Sequence, residues 1–172
     1  MRDSVVRPRR KAWMPATSAG MTIVACLVFS VAAAAQQDYP REVQEHLDHA
    51  RKECIEQGGS KVDFGADVVR KLDLTGGGND YIVDLHETEC AGAPAAYCGT
   101  GGCDFAIVVG RKNGSYVTVF DQRVRGYEIL PGKPPRTIRF LLHGSYCGGH
   151  GNPSCPKAHR ITERPFEFKQ PQ

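Results

Sequence analysis

The stretch HGSYCGGHGNPSCPKAH, residues 143–159, holds cysteines and histidines at a spacing that suits a metal ion. Four of these side chains, Cys147, His150, Cys155 and His159, follow one another through short turns. Two thiolates and two imidazoles form a standard tetrahedral zinc set. A disulfide between the two cysteines is the alternative, and the choice between them depends on the redox compartment.

The same stretch places a serine near histidines, and these residue types can act as the nucleophile and the general base of a hydrolase. Ser145 lies two residues after His143, and Asp84 or Asp104 is available to orient a histidine base. Neither Gly-x-Ser-x-Gly nor His-Glu-x-x-His occurs in the chain. We therefore predict a non-enzymatic protein with no catalytic residues, and keep a hydrolase around His143 and Ser145 as an alternative.

A glycine-rich segment ahead of a predicted strand supplies oxygen ligands. It resembles the Asp-x-Asn-x-Asp-Gly calcium loops of EF-hand, dockerin and FG-GAP/VCBS-type repeats. On that resemblance Asp73 is the first ligand, Thr75 stands at the third position, and Asn79 or Asp80 follows the turn glycine. Gly77 stands where an acid is usual, which leaves fewer oxygens than the roughly six to eight that calcium takes. We interpret the segment as a degenerate loop that acts as a turn and predict no bound cofactor, with calcium or zinc as alternatives.

The front of the chain reads as a targeting segment. The first eleven residues carry five basic side chains and one acid, and residues 22–35 carry no charge. This apolar run is shorter than the about twenty residues needed to span a bilayer, and it ends in alanines. We predict a signal peptide over residues 1–35 and a single domain over 36–172 in the periplasm or outside the cell. A lipid anchor at Cys26 and a start at Met21 are alternatives.

Removal of this leader changes the charge of the protein. The leader holds five of the 22 basic residues and one of the 19 acids, which leaves 17 basic and 18 acidic residues. A nearly neutral chain offers no electrostatic attraction for nucleic acid. We predict neither a nucleic-acid partner nor a membrane span in the mature chain.

Six cysteines remain after the leader, and an even number in an exported chain predicts a disulfide framework. The six are Cys54, Cys90, Cys98, Cys103, Cys147 and Cys155. Six cysteines allow about fifteen pairings, and the sequence does not choose among them. Export favours oxidation, so a disulfide is the first interpretation of Cys147 and Cys155, and the zinc site becomes the alternative.

One helix is predicted after the leader. Val43, Leu47, Ala50 and Cys54 recur at steps of three and four, which places them on one apolar seam. Pro40 suits the first turn, Asp38 is a possible cap, and a glycine pair ends the pattern. The seam predicts that one face of this helix packs on the rest of the domain.

Strands are predicted over the remainder of the chain. Asn113-Gly114 between two apolar runs is a strong hairpin signal, and a type I′ turn fits it. About five or six mostly antiparallel strands with one helix on one face make a disulfide-braced α+β fold. The predicted runs are residues 62–68, 81–86, 105–109, 116–120, 124–129 and 137–142.

Most of the mature chain resembles an uncharacterised family of small exported bacterial proteins. The shared features are Cys54-x3-Gly-Gly, the single degenerate FG-GAP/VCBS-like Asp-Gly loop, the CGTGGC element from Cys98 to Cys103, and His143-Gly-x-x-Cys-Gly. The resemblance implies export and a cysteine framework, and it carries no activity with it.

We predict that the chain is a non-enzymatic binding module whose partner is an envelope or extracellular protein or glycan. Two Gly-Ser-Tyr segments suggest binding loops, with Ser115 and Tyr116 in one and Ser145 and Tyr146 in the other. Small exported lysozyme inhibitors present similar loops from disulfide-braced β scaffolds. An inhibitor of a secreted hydrolase is therefore one specific hypothesis.

Overall fold

The structure is a computed structural model that describes residues 38–149 and 153–171. The predicted signal peptide, the possible lipid anchor at Cys26 and His150 of the predicted zinc set lie outside the described residues. The described part of the chain contains no helix with the length and hydropathy needed to cross a bilayer.

Helix α1 covers Arg41–Glu56, and its buried face is the seam predicted from the sequence. Val43, Leu47, Ala50 and Cys54 are all buried. Pro40 occupies the N-cap position, and no side chain caps the helix. The predicted Asp38 cap is therefore wrong, because Pro40 begins the helix and its carbonyl accepts from Val43 and Gln44.

In the described part of the chain, ten strands follow α1 and form three antiparallel sheets. The strands are β1 Lys61–Asp63, β2 Val69–Leu72, β3 Asp80–Asp84, β4 Glu89–Ala91, β5 Cys98–Gly99, β6 Gly102–Gly110, β7 Tyr116–Val124, β8 Gly126–Ile129, β9 Thr137–His143 and β10 Ser154–Arg160. β1 pairs with β4, β8 and β10 flank β9, and the five remaining strands form a sheet around β3 and β6. Short 3-10 helices follow β3 at Leu85–Glu87 and β9 at Gly144–Cys147.

The five-stranded sheet lies between two apolar cores. On β6, Ala106 and Val108 face α1, whereas Phe105, Ile107 and Val109 face the sheet of β8, β9 and β10. Both faces of β6 are buried, as the continuous apolar run predicts. The α+β class and the helix over one sheet face are confirmed.

Among the described residues, three disulfides brace these layers. Cys54–Cys90 joins α1 to β4, and Cys98–Cys103 links directly opposed residues of β5 and β6. Cys147–Cys155 joins the 3-10 helix after β9 to β10. Three disulfides are typical of proteins from oxidising extracellular compartments.

The strand prediction is too low in number, since about five or six strands were predicted and the described residues contain ten, and three of its details are wrong. Residues 62–68 do not form one strand, because Val68 N–H donates to Gly65 C=O and turns the chain between β1 and β2. β10 was not predicted, because its side chains do not alternate between apolar and polar. The hairpin at Asn113-Gly114 is present, but Gly114 N–H donates to Arg111 C=O and Arg111 N–H to Ser115 C=O, so the loop has three residues rather than two.

Candidate functional site

A cleft of about 450 Å³ opens between α1 and the five-stranded sheet. We call it the α1–β7 cleft. One wall is the polar side of the helix, and the other is built from β6 and β7. The lining residues are Glu45, His46, His49, Glu53, Val83, Leu85, Asp104, Phe105, Ala106, Thr118, Asp121 and Arg123.

The helical wall follows from the spacing of its residues. His46, His49 and Glu53 recur at steps of three and four and therefore lie on one stripe, beside the buried seam that anchors the helix. Packing of the seam brings the stripe over the sheet.

The opposite wall depends on a β-bulge in β7. Ile107 pairs with Phe120 and Val108 pairs with Thr118, so Val119 is the extra residue. Val119 and Phe120 consequently both enter the core on the far side of the sheet. Thr118 and Asp121 thereby reach the cleft although they are three residues apart, a spacing that regular alternation would place on opposite faces.

The floor of the cleft is apolar. Val83, Leu85 and Ala106 line it and are almost fully buried. Ala106 is small, which leaves room between β6 and the helix. A ligand in this cleft meets hydrocarbon at the bottom and charge at the rim.

Arg123 is the single cation in the lining. Its Nε donates to Asp104 Oδ1 at 2.7 Å, and its Nη2 lies 3.7 Å from Glu53 Oε1. The hydrogen bond to Asp104 and the two neighbouring carboxylates raise the pKa of this guanidinium. Arg123 therefore ties the floor strand β6 to the helix and is largely engaged with the protein's own acids.

His46 is a half-buried residue of the helical wall. Its Nε2 lies 3.1 Å from Thr118 Oγ1, which links α1 to β7. Burial lowers the pKa of His46, and the neighbouring His49 acts in the same direction, whereas Asp121 and Glu45 oppose the shift. His46 is consequently neutral at pH 7.

The remaining acids leave negative charge at the rim. Glu45 is exposed and pairs with Arg41 at 3.3 Å, and His49 lies 4.0 Å from Glu53. Asp121 has no ion-pair partner of the Lys or Arg type within 4.0 Å among the described residues. Four carboxylates against one guanidinium favour a cationic ligand.

The predicted zinc set is not assembled. Cys147 and Cys155 are bonded to each other, so neither sulfur is the thiolate that zinc requires. His159 stacks on Phe166 with ring centroids 3.7 Å apart, and burial lowers its pKa. Among the described residues, no group of three or more His, Cys, Asp or Glu is arranged to hold a metal ion.

The calcium-like loop is held together by its own acids. Asp80 is fully buried and accepts from the N–H groups of Leu74, Thr75 and Gly110 at 2.8–3.1 Å. Asp73 Oδ1 accepts from the N–H groups of Gly76 and Gly78. Both carboxylates thus face N–H donors, and a cation would have to displace these bonds. Thr75 also donates its hydroxyl to Asp80, whereas the Asn79 side chain forms no hydrogen bond with the described residues.

The two Gly-Ser-Tyr segments are engaged with the fold. Ser115 donates its hydroxyl to Asn113 Oδ1 at 2.7 Å within the hairpin loop. The Tyr116 ring packs against Tyr81, with centroids 5.9 Å apart, and burial raises the pKa of its hydroxyl. Tyr146 is partly buried against the core shared by the two larger sheets.

The predicted hydrolase pair is in contact but has a local structural role. His143 Nδ1 lies 2.9 Å from Ser145 Oγ and also accepts from Ser145 N–H, which caps the 3-10 helix Gly144–Cys147. Within the described residues no carboxylate lies within 4.0 Å of a His143 ring nitrogen. The orienting acid of a catalytic triad is therefore missing here, and neither Asp84 nor Asp104 supplies it.

Comparison with known proteins adds no assignment: no family model, no curated protein and no solved structure matches the chain significantly. The site must be interpreted from its own geometry.

Sequence reasoning did not find the α1–β7 cleft. Its residues come from five separate elements, and its polar residues are of the types found on any solvent-facing surface. The local signal is the pair Val119-Phe120, two large apolar residues in succession between Thr118 and Asp121, which is typical of a bulge.

Proposed function

We propose that the chain is an exported binding module whose α1–β7 cleft takes a basic group of an envelope or extracellular protein. The observation that carries this proposal is the combination of an apolar floor with an acidic rim in one open cleft. Lysine and arginine side chains have the matching shape, because an aliphatic stem carries a charged head. The three disulfides suit a protein that works in the periplasm or outside the cell.

The electrostatics of the cleft support binding rather than turnover. Arg123 is already paired, His46 is neutral and hydrogen-bonded, and Asp121 remains available at the rim. A basic side chain placed on Ala106 would meet Asp121 and Glu45 without breaking the contact between Arg123 and Asp104. The attraction is of the type that salt screens.

An oligolysine peptide tests the proposal by calorimetric titration at low and at physiological ionic strength. We expect binding that weakens with salt, and about fivefold lower affinity in Asp121→Asn and in Glu45→Gln. Glu56→Gln is the matched control, because Glu56 lies on the same helix, is equally exposed and also forms an i,i+4 ion pair. Equal weakening in Glu45→Gln and Glu56→Gln would show attraction to the whole surface and would contradict the proposal.

Inhibition of a secreted hydrolase is the more specific form of this function. It predicts that a lysozyme loses activity when the protein is present in molar excess, and that Asp121→Asn restores it. Full lysozyme activity at every ratio of protein to enzyme would contradict inhibition of lysozyme. The binding of basic groups would still be tested by the oligolysine experiment.

A further inference from the structure

A second cavity, of about 470 Å³, lies between the glycine-rich loop and the hairpin that joins β6 to β7. We call it the glycine-loop cavity. Gly76 and Gly77 form part of one wall, and Gly114 belongs to the other. Because glycines line both walls, backbone borders part of the space. It shares no residue with the α1–β7 cleft.

The buried carboxylate of Asp80 holds the two walls together. It accepts from Leu74 and Thr75 on the glycine-rich loop and from Gly110 at the end of β6. Gly110 also lies so close to the other wall that an added Cβ would sit 2.8 Å from the Asn79 carbonyl oxygen. The two walls of the cavity are therefore held together by contacts within the fold, which lowers the cost of ordering them around a ligand.

Opposite charges line this cavity without neutralising each other. Arg111 and Lys112 lie on the hairpin side, and Glu163 lies on the C-terminal segment. Among the described residues none of the three has an ion-pair partner within 4.0 Å. Asn79 adds a side-chain amide that both donates and accepts.

We propose that the glycine-loop cavity binds a small zwitterion of the amino-acid or dipeptide class. The ligand carboxylate pairs with Arg111 and Lys112, and the ligand ammonium pairs with Glu163. Arg111 suits the carboxylate because its guanidinium presents two parallel N–H donors. A ligand with a carboxylate at one end and an ammonium group at the other can pair with Arg111 and Lys112 and also with Glu163, although these side chains form no ion pair with each other.

The test uses glycylglycine as the probe and follows the backbone amide signals of Gly76, Gly77 and Gly114 by NMR. N-acetylglycine lacks the ammonium group and glycinamide lacks the carboxylate. We expect saturable shifts with glycylglycine and about tenfold weaker binding of either analogue.

Variants locate the site on the protein. Arg111→Gln and Glu163→Gln are each expected to weaken glycylglycine binding about tenfold. Arg160→Gln and Glu167→Gln are matched controls, since both residues are exposed and neither lines the cavity. The dispersion of the same spectra shows that each variant is folded.

Each other result overturns the proposal. Absence of shifts with glycylglycine excludes this ligand class. Equal binding of N-acetylglycine and glycylglycine reduces the cavity to an anion site, and equal binding of glycinamide reduces it to a cation site. Because the α1–β7 cleft uses other residues, none of these results affects the proposed function.

Discussion

Asp80 is a buried carboxylate whose charge is balanced by N–H groups and one hydroxyl instead of a cation. Its two oxygens receive bonds from Leu74, Thr75 and Gly110, which belong to two different elements. Hydrogen bonds to a charged group are stronger than those between neutral groups. Asp80 resembles a calcium ligand in the sequence, but in the structure it connects the glycine-rich loop to β6 by hydrogen bonds.

Replacing Asp80 by Asn is expected to lower the free energy of unfolding by about 3 kcal/mol. The NH2 group of the new side chain is a donor, and it would face backbone N–H groups that need an acceptor. Urea denaturation measures the change. Asp63→Asn is the control, since Asp63 is exposed on β1, and it should shift stability by less than about 0.5 kcal/mol. A neutral result for Asp80→Asn would mean that the loop is held by other contacts.

His46 makes the stability of the protein depend on pH. Its pKa is lowered in the folded state mainly by burial, so the unfolded chain binds a proton first as the pH falls below the usual value of 6.5. The contribution of His46 is therefore complete above that value and is lost as the pH drops toward the folded pKa.

His46→Gln is expected to reduce the loss of thermal stability between pH 7 and pH 5 relative to the unchanged protein. Thermal unfolding at both pH values measures it. His49→Gln removes only the smaller contribution of His49 and leaves the burial of His46 in place, so it should reduce the difference less than His46→Gln does. An identical pH dependence in all three proteins would contradict the assignment to His46.

Among the secondary-structure elements, those with a strong local signal were predictable. The helical seam of Val43, Leu47, Ala50 and Cys54 is correct, and so is the hairpin at Asn113-Gly114. The turn after β1 was missed because residues 62–68 alternate as a strand does, whereas in the structure Val68 N–H donates to Gly65 C=O and turns the chain. β10 pairs with β9 along its whole length although Pro156 interrupts its donors.

The α1–β7 cleft was not predictable for a different reason. Thr118 and Asp121 share a face only because of the bulge at Val119, and a bulge is fixed by tertiary packing on both sides of the sheet. Regular alternation along β7 would place Thr118 and Asp121 on opposite faces of the sheet, so the sequence spacing predicts the wrong face for one of the two residues.

A substitution at Gly110 tests how closely β6 approaches the glycine-rich loop. Gly110→Ala is expected to lower the free energy of unfolding by about 2 kcal/mol, because the added methyl group meets the Asn79 carbonyl at 2.8 Å. Gly126→Ala is the control within β8, where the nearest atom to the new Cβ is a Leu141 methyl at 3.6 Å. We expect it to be neutral or stabilising, and chemical denaturation distinguishes the two.

At the scale of the whole molecule, the disulfides differ in the length of chain they enclose. Cys54–Cys90 spans 36 residues and Cys98–Cys103 spans five. In the chain-entropy model the longer loop stabilises by about 4 kcal/mol and the shorter by about 2 kcal/mol. Replacement of each pair by alanine, followed by denaturant unfolding, should reproduce that order. The reverse order would show that packing around the sulfurs dominates.

The described disulfides also share a pattern along the chain. The six cysteines pair two by two in the order in which they occur in the sequence, so the three bridges neither nest nor cross. A chain that enters an oxidising compartment from its N-terminus exposes both partners of one bridge before the first cysteine of the next. If this chain is exported in that direction, order of arrival alone would select the native pairing of these six cysteines, without later rearrangement of their bonds.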